Sequence, residues 1–175
     1  MLAALHEEPA TGYQLNRRFR ERLAHVWQAS HQQIYRELGR LQEQGWIAGE
    51  EIPQEQRPDA RRYRVTAAGE EALVRWLRQP QPPPAPRDPF LVKLFAGDLL
   101  DDAMLRSEIA TLRQRWQDRL RAYRQLEGAY FQEPERMPRH YRLQYRALRR
   151  GIHSAEANLR WLDELEGELE GAVSD

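Results

Sequence analysis

Hydrophobic positions in the first part of the chain recur at the spacing of short helices. Residues 2–5 form an apolar run, and Pro9 follows soon after it, which predicts a short first helix over residues 2–6. Thr11 is a suitable N-cap for a second helix over residues 12–23, whose apolar side chains recur every three or four positions. Two short, closely spaced helices are therefore expected at the N-terminus.

A third helix has the clearest start and end. Ser30 is followed three residues later by Gln33, which is the pattern of a capping box. The helix is expected to end near residues 44–45, where Gly45 can adopt the left-handed backbone that closes many helices. One face carries the apolar stripe Ile34, Leu38 and Leu41.

Two strand patterns and a fourth helix follow. Residues 46–52 and 61–65 have mixed and alternating polarity, and the polar segment 53–60 between them is typical of a loop. Thr66 then caps a helix with the apolar positions Ala68, Ala72, Leu73, Trp76 and Leu77. The order of three helices, a strand, a loop, a strand and a helix predicts a winged helix-turn-helix, with the two strands as a small β-hairpin wing.

Proline separates the two halves of the chain. Residues 79–86 contain five prolines in eight positions, which excludes a helix and favours an extended, semi-rigid linker. We therefore divide the chain into a winged-helix domain over residues 1–78, a linker over 79–87 and a helical C-terminal domain over 88–175. The predicted fold class is mainly α with a small β-hairpin wing.

The second half has two long helical patterns. An amphipathic helix is expected within residues 103–131, and after a break at residues 134–138 a second helix shows a 3.5-residue apolar period over about three heptads. Either the preceding helix or a second chain can cover this seam, and two DNA half-sites favour a dimer. The residues predicted to form the dimer seam are Tyr145, Leu148, Ile152, Ala155, Leu159 and Leu162.

Composition excludes several classes of function. The 175 residues include no cysteine, so disulfides and thiolate metal sites are excluded. The chain has no HExxH motif and no glycine-rich phosphate loop, and its five histidines are scattered without ligand spacing. We therefore predict that the protein is not an enzyme and uses no cofactor or metal. Because the chain has no long apolar run and no signal-peptide core, we also expect a cytoplasmic protein.

The formal net charge is zero, because 27 basic residues face 27 acidic ones. The charge is nevertheless uneven: residues 17–40 contain six arginines against two glutamates, and residues 57–64 contain four arginines against one aspartate. Six acidic residues accumulate between Asp163 and Asp175. Basic residues on the third helix and the wing are suited to phosphate neutralisation, although they could also be ordinary solvated helix faces.

Ten residues are candidates for contacting DNA because they lie at the start of the third helix, at the wing or beside them. His31, Gln32, Tyr35 and Arg36 lie off the apolar stripe and include side chains that bond base edges or phosphates. For Ser30, a role as helix cap alone is the competing interpretation. The full set is Tyr13, Ser30, His31, Gln32, Tyr35, Arg36, Arg40, Arg57, Arg61 and Arg62.

Six stretches in this order resemble the PadR-like transcriptional regulators. They are LAAL (2–5), GYQL (12–15), SHQQIYREL (30–38) with Leu41, GWI (45–47), RPD through YRVTAAG (57–69) and RDPFLVKLFAG (87–97). The resemblance implies a homodimeric bacterial repressor that binds a palindromic operator and often responds to small aromatic effectors such as phenolic acids. The wing of this family commonly carries Gly before Arg-Pro and a basic residue after Asp. This sequence departs from that pattern, with Gln56 before Arg57 and Ala60 after Asp59.

Two interpretations stay open at this stage. Trp116, Tyr123, Tyr141 and His153 are candidate effector contacts, because aromatic rings and a histidine suit a phenolic acid, although an aromatic stripe is also typical of a plain core. The competing function is a helical interaction or scaffold module without DNA binding, in which the arginines only solvate the surface.

Overall fold

The structure, a computed structural model, separates into two compact units, Met1–Pro83 and Pro84–Asp175. It describes residues 1–23, 27, 29–53, 60–83, 85 and 87–171. Residues 54–59 of the predicted wing loop, including Arg57, lie outside the described residues. No helix within the described ranges is both long and apolar enough to cross a membrane.

The first unit contains four helices and three strands in the described residues. In chain order they are α1 (Leu2–Glu7), β1 (Ala10–Thr11), α2 (Gly12–Glu21), α3 (His31–Glu43), β2 (Ile47–Ile52), β3 (Ala60–Val65) and α4 (Ala67–Leu77). The four predicted helices and two predicted strands are confirmed within one or two residues at most ends. Strand β1 was not predicted, because two residues are too few to show a period.

Three hydroxyl side chains start three of these helices, as the sequence predicts. Thr11 and Ser30 each form a reciprocal capping box, with Gln14 and Gln33 respectively. Thr66 Oγ1 accepts a hydrogen bond from Gly69 N at 3.1 Å and caps α4. Since a cap satisfies backbone N–H groups that a helix leaves unpaired, these residues fix where α2, α3 and α4 begin.

The three strands form one antiparallel sheet in the order β1-β3-β2. Strand β3 is central, with Tyr63 opposite both Ala10 on β1 and Gly49 on β2. The β2–β3 hairpin is the predicted wing, and β1 joins it to the start of α2. The first unit is therefore a winged helix-turn-helix.

Apolar side chains from α1, α2, α3 and the three strands form one core. The predicted stripe of α3 is fully buried, with Ile34, Leu38 and Leu41 at most 1% exposed. It packs in a cluster with Leu5 of α1 and Leu15 of α2, among others. This packing fixes which face of α3 points inward and leaves the opposite face to solvent.

The second unit is helical. Its main elements are α5 (Pro89–Phe95), α6 (Asp102–Tyr130) and α7 (Arg139–Gly171), with short 3-10 turns at Gly97–Leu99 and Pro134–Arg136. Helix α6 begins and ends within a residue of its predicted range. Helix α7 extends beyond the predicted seam in both directions.

The long helices α6 and α7 run antiparallel. Leu105 near the start of α6 clusters with Leu162 towards the end of α7, whereas Leu120 further along α6 clusters with Leu148 and Ile152. Residues early in α6 thus pack against residues late in α7, and residues later in α6 pack against residues earlier in α7, so the two helices are antiparallel.

This packing bears on the predicted dimer seam, for which the sequence left two covers open, the preceding helix or a second chain. Four of its six residues are 0% exposed within the single chain: Leu148, Ile152, Ala155 and Leu162. The clusters around α7 draw their facing side chains mainly from α6, so the preceding helix covers the seam. Fully buried side chains have no surface left for a second chain. Tyr145 and Leu159 are only half-buried.

Candidate nucleic-acid interface

Two polar side chains at the start of α3, those of Ser30 and Gln33, form the cap of the helix. Ser30 Oγ accepts from Gln33 N at 3.2 Å, and Gln33 Oε1 accepts from Ser30 N at 2.8 Å. These two side chains are therefore engaged in the cap, in agreement with the capping interpretation of Ser30. The first turn still directs backbone N–H groups outward, where the helix dipole favours an anion.

Four predicted contact residues share the solvent face of α3. His31, Gln32, Tyr35 and Arg36 are all exposed, and each lies off the buried stripe of the helix. The rings of His31 and Tyr35 are 4.5 Å apart between centroids. The structure thus brings these side chains together at the N-terminal half of one exposed helix face.

Tyr13 lies beside this face at the start of α2. Its side chain is 69% exposed, and that of Tyr35 is 44% exposed. Gly12, the residue before Tyr13, is in close contact with the Tyr35 ring. The start of α2 therefore both supports Tyr35 and places a second tyrosine near the exposed face of α3.

The two arginines of α3 differ in their partners. Arg40 donates from Nε to Glu37 Oε2 at 3.0 Å and from Nη2 to Glu37 Oε1 at 2.7 Å. The Arg40 hydrogen bond lowers the pKa of Glu37, so this carboxylate stays charged. Within the described residues, Arg36 forms no ion pair or side-chain hydrogen bond. Among the described residues, Arg36 therefore has no hydrogen-bonded carboxylate to release before it approaches a base or a phosphate.

Acidic residues also line the wing. Arg61 Nη2 donates to Glu51 Oε1 at 2.9 Å across the hairpin. Arg62 is the register partner of Glu50, and its side chain forms no ion pair in the described part of the chain. Arg57 lies outside the described residues, so its predicted contact stays a prediction.

Two arginines at the C-terminal end of α2 are tied to α1 and to the residue that follows it. Arg18 forms an ion pair with Glu8 and also donates to the Glu8 carbonyl oxygen at 2.9 Å. Arg22 pairs with Glu7 at 2.6 Å, and both side chains are less than a quarter exposed. The local charge excess over residues 17–40 is therefore partly offset by acids outside that window. The sequence sum missed this because Glu7 and Glu8 are distant from their partners along the chain.

The predicted effector residues do not gather in one cavity. Trp116 packs against the cluster that contains Phe90 and Leu162, whereas Tyr123 belongs to the cluster around Ile152. Tyr141 is half-buried, with its ring 4.1 Å from that of His140.

His153 is exposed on α7. Its Nε2 lies 3.2 Å from Arg149 Nη2, and its Nδ1 lies 3.5 Å from a carboxylate oxygen of Glu156. Both ring nitrogens therefore already have a neighbour on the same helix.

The described residues of the second unit contain an open groove along α6. It has a volume of about 570 Å³. Its lining includes none of the four predicted effector residues: it consists of Ala103, Met104, Ser107, Glu108, Thr111, Leu112 and Arg115. Sequence reasoning missed this groove because its lining alternates small, polar and apolar side chains and shows no aromatic stripe.

Comparisons with known proteins connect the two units to regulators of transcription. The family model described as transcriptional regulator PadR-like matches residues 1–75, and the one described as virulence activator alpha C-term matches residues 86–170. The probable transcriptional regulator Rv1176c of Mycobacterium tuberculosis is 33% identical, over 94% of this chain and 93% of its own length. This chain belongs to the PadR-like family of transcriptional regulators.

Two further similar proteins agree with this assignment. The negative transcriptional regulator PadR of Bacillus subtilis is 31% identical over 59% of this chain and 63% of its own. The structure of the virulence activator AphA of Vibrio cholerae matches with a TM-score of 0.80 and 33% identity, covering 98% of this chain and 96% of that one.

The B. subtilis PadR structure with operator DNA has a TM-score of 0.82 at 22% identity, covering 96% and 95%, which shows the shared fold. The resemblance stated from sequence motifs is confirmed, and the relatives named here are regulators of transcription rather than enzymes.

Proposed function

We propose that this chain is a dimeric, sequence-specific DNA-binding repressor that reads a palindromic operator with α3 and the wing. The observation that carries the proposal is the exposed face of α3, where Gln32, Tyr35 and Arg36 stand together beside a capped helix start. A helix presented in this way fits the major groove, where arginine and glutamine side chains bond guanine and adenine edges. The B. subtilis relative that was crystallised with operator DNA supports the same use of the fold.

The wing supplies the second part of the proposed interface. Arg62 and Arg64 are exposed on β3 and, within the described residues, have no ion-pair partner. Arginines on a hairpin beside a recognition helix are placed to neutralise backbone phosphates. We assign base reading to α3 and sequence-independent phosphate contacts to the wing. Such a protein works in the cytoplasm of a bacterium.

The domain division proposed from sequence is retained: residues 1–78 bind DNA, 79–87 link, and 88–175 dimerise and receive the effector. Because the helical seam is buried within the chain, the second copy needs another surface. Exposed apolar side chains on and after α5 support one candidate, since soluble proteins rarely leave such groups uncovered together. They are Leu91, Val92, Phe95, Leu99 and, at the start of α6, Met104.

A small aromatic effector completes the proposal. The B. subtilis PadR has also been crystallised with p-coumaric acid, which supports a ligand of this class. Trp116 is half-buried in the second unit, so its fluorescence is a suitable reporter. Titration with a panel of phenolic acids should give a saturable fluorescence change for at least one of them. If no acid does so, the effector part of the proposal fails.

The decisive experiment is duplex binding as a function of salt. We expect the protein to select a sequence from a duplex library that includes DNA upstream of its own gene, with affinity falling steeply as salt rises. Arg36→Ala should lose sequence preference, whereas Arg62→Ala should weaken binding to all duplexes alike. A purified protein that ignores duplex DNA at low salt would instead favour the scaffold function.

A further inference from the structure

Two arginines at the proposed interface are each held by a carboxylate of the same unit. Arg40 is bound by both oxygens of Glu37, at 3.0 and 2.7 Å, and Arg61 is bound by Glu51 at 2.9 Å. Glu37 lies one turn away on the same helix, and Glu51 faces Arg61 across the hairpin. The pattern recurs on both elements proposed to meet DNA.

A carboxylate and a phosphate compete for the same part of an arginine. Both anions accept paired hydrogen bonds from the planar guanidinium group, so an arginine engaged by one is less available to the other. Glu37 occupies Nε and Nη2 of Arg40, which are the donors that a bidentate phosphate would use. Binding DNA through Arg40 or Arg61 therefore requires an exchange of anions.

These pairs are poorly placed to stabilise the fold. The side chains of Arg61 and Glu51 are 44% and 70% exposed, and Arg40 is 52% exposed. Ion pairs at this exposure contribute little to stability, because water and salt screen them. By contrast, Arg22 and Glu7 are mostly buried and join two segments of the core. We therefore expect the Arg40–Glu37 and Arg61–Glu51 pairs to have an effect other than stabilising the fold.

We propose that Glu37 and Glu51 hold down the affinity of the protein for arbitrary duplex DNA by occupying Arg40 and Arg61. Sequence-independent binding comes almost entirely from phosphate contacts, so it is the term that this competition reduces. Among the described residues no carboxylate is hydrogen-bonded to Arg36, so its contacts need no such exchange. The inference rests on the proposed DNA-binding function and adds two acidic positioning residues to it.

The test measures binding to a random-sequence duplex of about 24 base pairs, a length of roughly two helical turns, by fluorescence anisotropy across a series of salt concentrations. Glu37→Gln and Glu51→Gln keep the size of the side chain and remove its charge. Each should tighten binding by about two- to fivefold, the range expected for an exposed ion pair. Each arginine that gains a phosphate should also make the slope of log affinity against log salt more negative by up to about 0.9.

Glu71→Gln is the matched control. Glu71 forms an exposed ion pair with Arg75 at 3.6 Å on α4, outside α3 and the wing, and its substitution changes the net charge equally. We expect it to alter the affinity and the slope less than either interface variant. Equal effects of Glu71→Gln and Glu37→Gln would reduce the proposal to a change in overall charge and overturn it.

A second comparison tests whether Glu37 acts through Arg40. In an Arg40→Ala background the effect of Glu37→Gln should largely vanish, because no guanidinium is left to release. An undiminished effect would mean that Glu37 merely repels phosphate, and the proposal would be wrong. If the wild-type protein binds the duplex and the glutamine variants match it, only this inference fails. If neither binds at low salt, DNA binding itself fails.

Discussion

The ring of Tyr35 occupies the space that a side chain at Gly12 would need. A Cβ on Gly12 would lie 2.7 Å from Cζ of Tyr35 and 2.8 Å from its hydroxyl oxygen. The start of α2 therefore contacts the exposed face of α3 at this position. A glycine outside the proposed interface thus determines how a residue inside it is held.

Replacing Gly12 by alanine should displace Tyr35. Because the nearest atoms belong to the outer end of the exposed Tyr35 side chain, the ring can move aside, so we expect Gly12→Ala to cost at most about 1 kcal/mol of unfolding free energy and to weaken duplex binding. Urea denaturation and anisotropy measure the two effects. Gly39→Ala is the control, because a Cβ at Gly39 on α3 meets nothing within 4 Å. It should leave stability unchanged or raise it by up to about 1 kcal/mol. If Gly12→Ala and Gly39→Ala lost the same amount of stability and duplex affinity, the contact between Gly12 and Tyr35 would not explain the effect.

Glu127 is expected to stabilise the α6–α7 pair. It accepts hydrogen bonds from Tyr145 Oη at 2.9 Å and Arg149 Nη1 at 3.4 Å on α7, and from Arg124 on α6 at 2.7 Å. Glu127→Gln leaves these donors without a charged acceptor, so we expect a loss of about 1–3 kcal/mol in urea denaturation. Glu133→Gln, which affects only an exposed pair with Arg136, should change stability far less.

The same residue should make stability depend on pH. Burial alone would raise the pKa of Glu127, but the hydrogen bonds from Arg124 and Tyr145 outweigh it and the pKa is lowered from 4.5. A lowered pKa in the folded state gives stability that is fully present above 4.5 and is lost as pH falls through the folded-state value. The stability difference between wild type and Glu127→Gln should therefore shrink in acid. A difference that stays constant as the pH falls below 4.5 and through the folded-state pKa of Glu127 would refute this account.

Phe95 offers a test of the proposed dimer surface. It is 94% exposed at the end of α5, so Phe95→Asp should not disturb the core. If a second copy covers this ring, its loss should raise the dimer dissociation constant about 10- to 100-fold, as expected from the free energy of burying a phenylalanine. Light scattering after size exclusion measures the change. Leu143→Asp, at an exposed site on α7, should leave the dimer intact. A dimer unaffected by Phe95→Asp would place the interface elsewhere.

Thr66 joins the wing to the helix after it. Its Oγ1 accepts from Gly69 N at 3.1 Å and donates to the Gly45 carbonyl oxygen at 2.7 Å. Thr66→Ala removes both bonds, and we expect a loss of about 0.5–2 kcal/mol in thermal or urea unfolding. Thr66→Ser keeps the hydroxyl and should recover most of that loss. A serine variant as unstable as the alanine one would show that the methyl group matters instead.

Much of the fold could be predicted because its signals are local. The caps at Thr11, Ser30 and Thr66 act on backbone groups three residues away, and the stripe of α3 repeats within one helix. Such signals need no knowledge of distant segments. The exposed face of α3 followed directly, since burial of Ile34, Leu38 and Leu41 leaves Gln32 and Arg36 outside.

The sequence by itself therefore determined where α1–α4, α6 and α7 begin, which face of α3 is exposed, and the order of elements that marks a winged helix. Tertiary structure decided three further points. It placed α6 over the apolar seam of α7, it joined Arg22 to Glu7, and it set Arg61 opposite Glu51. Each of these contacts joins segments that are ten or more residues apart in the chain. The sequence pattern shows that a side chain must be covered or paired, but it does not show which distant residue does so.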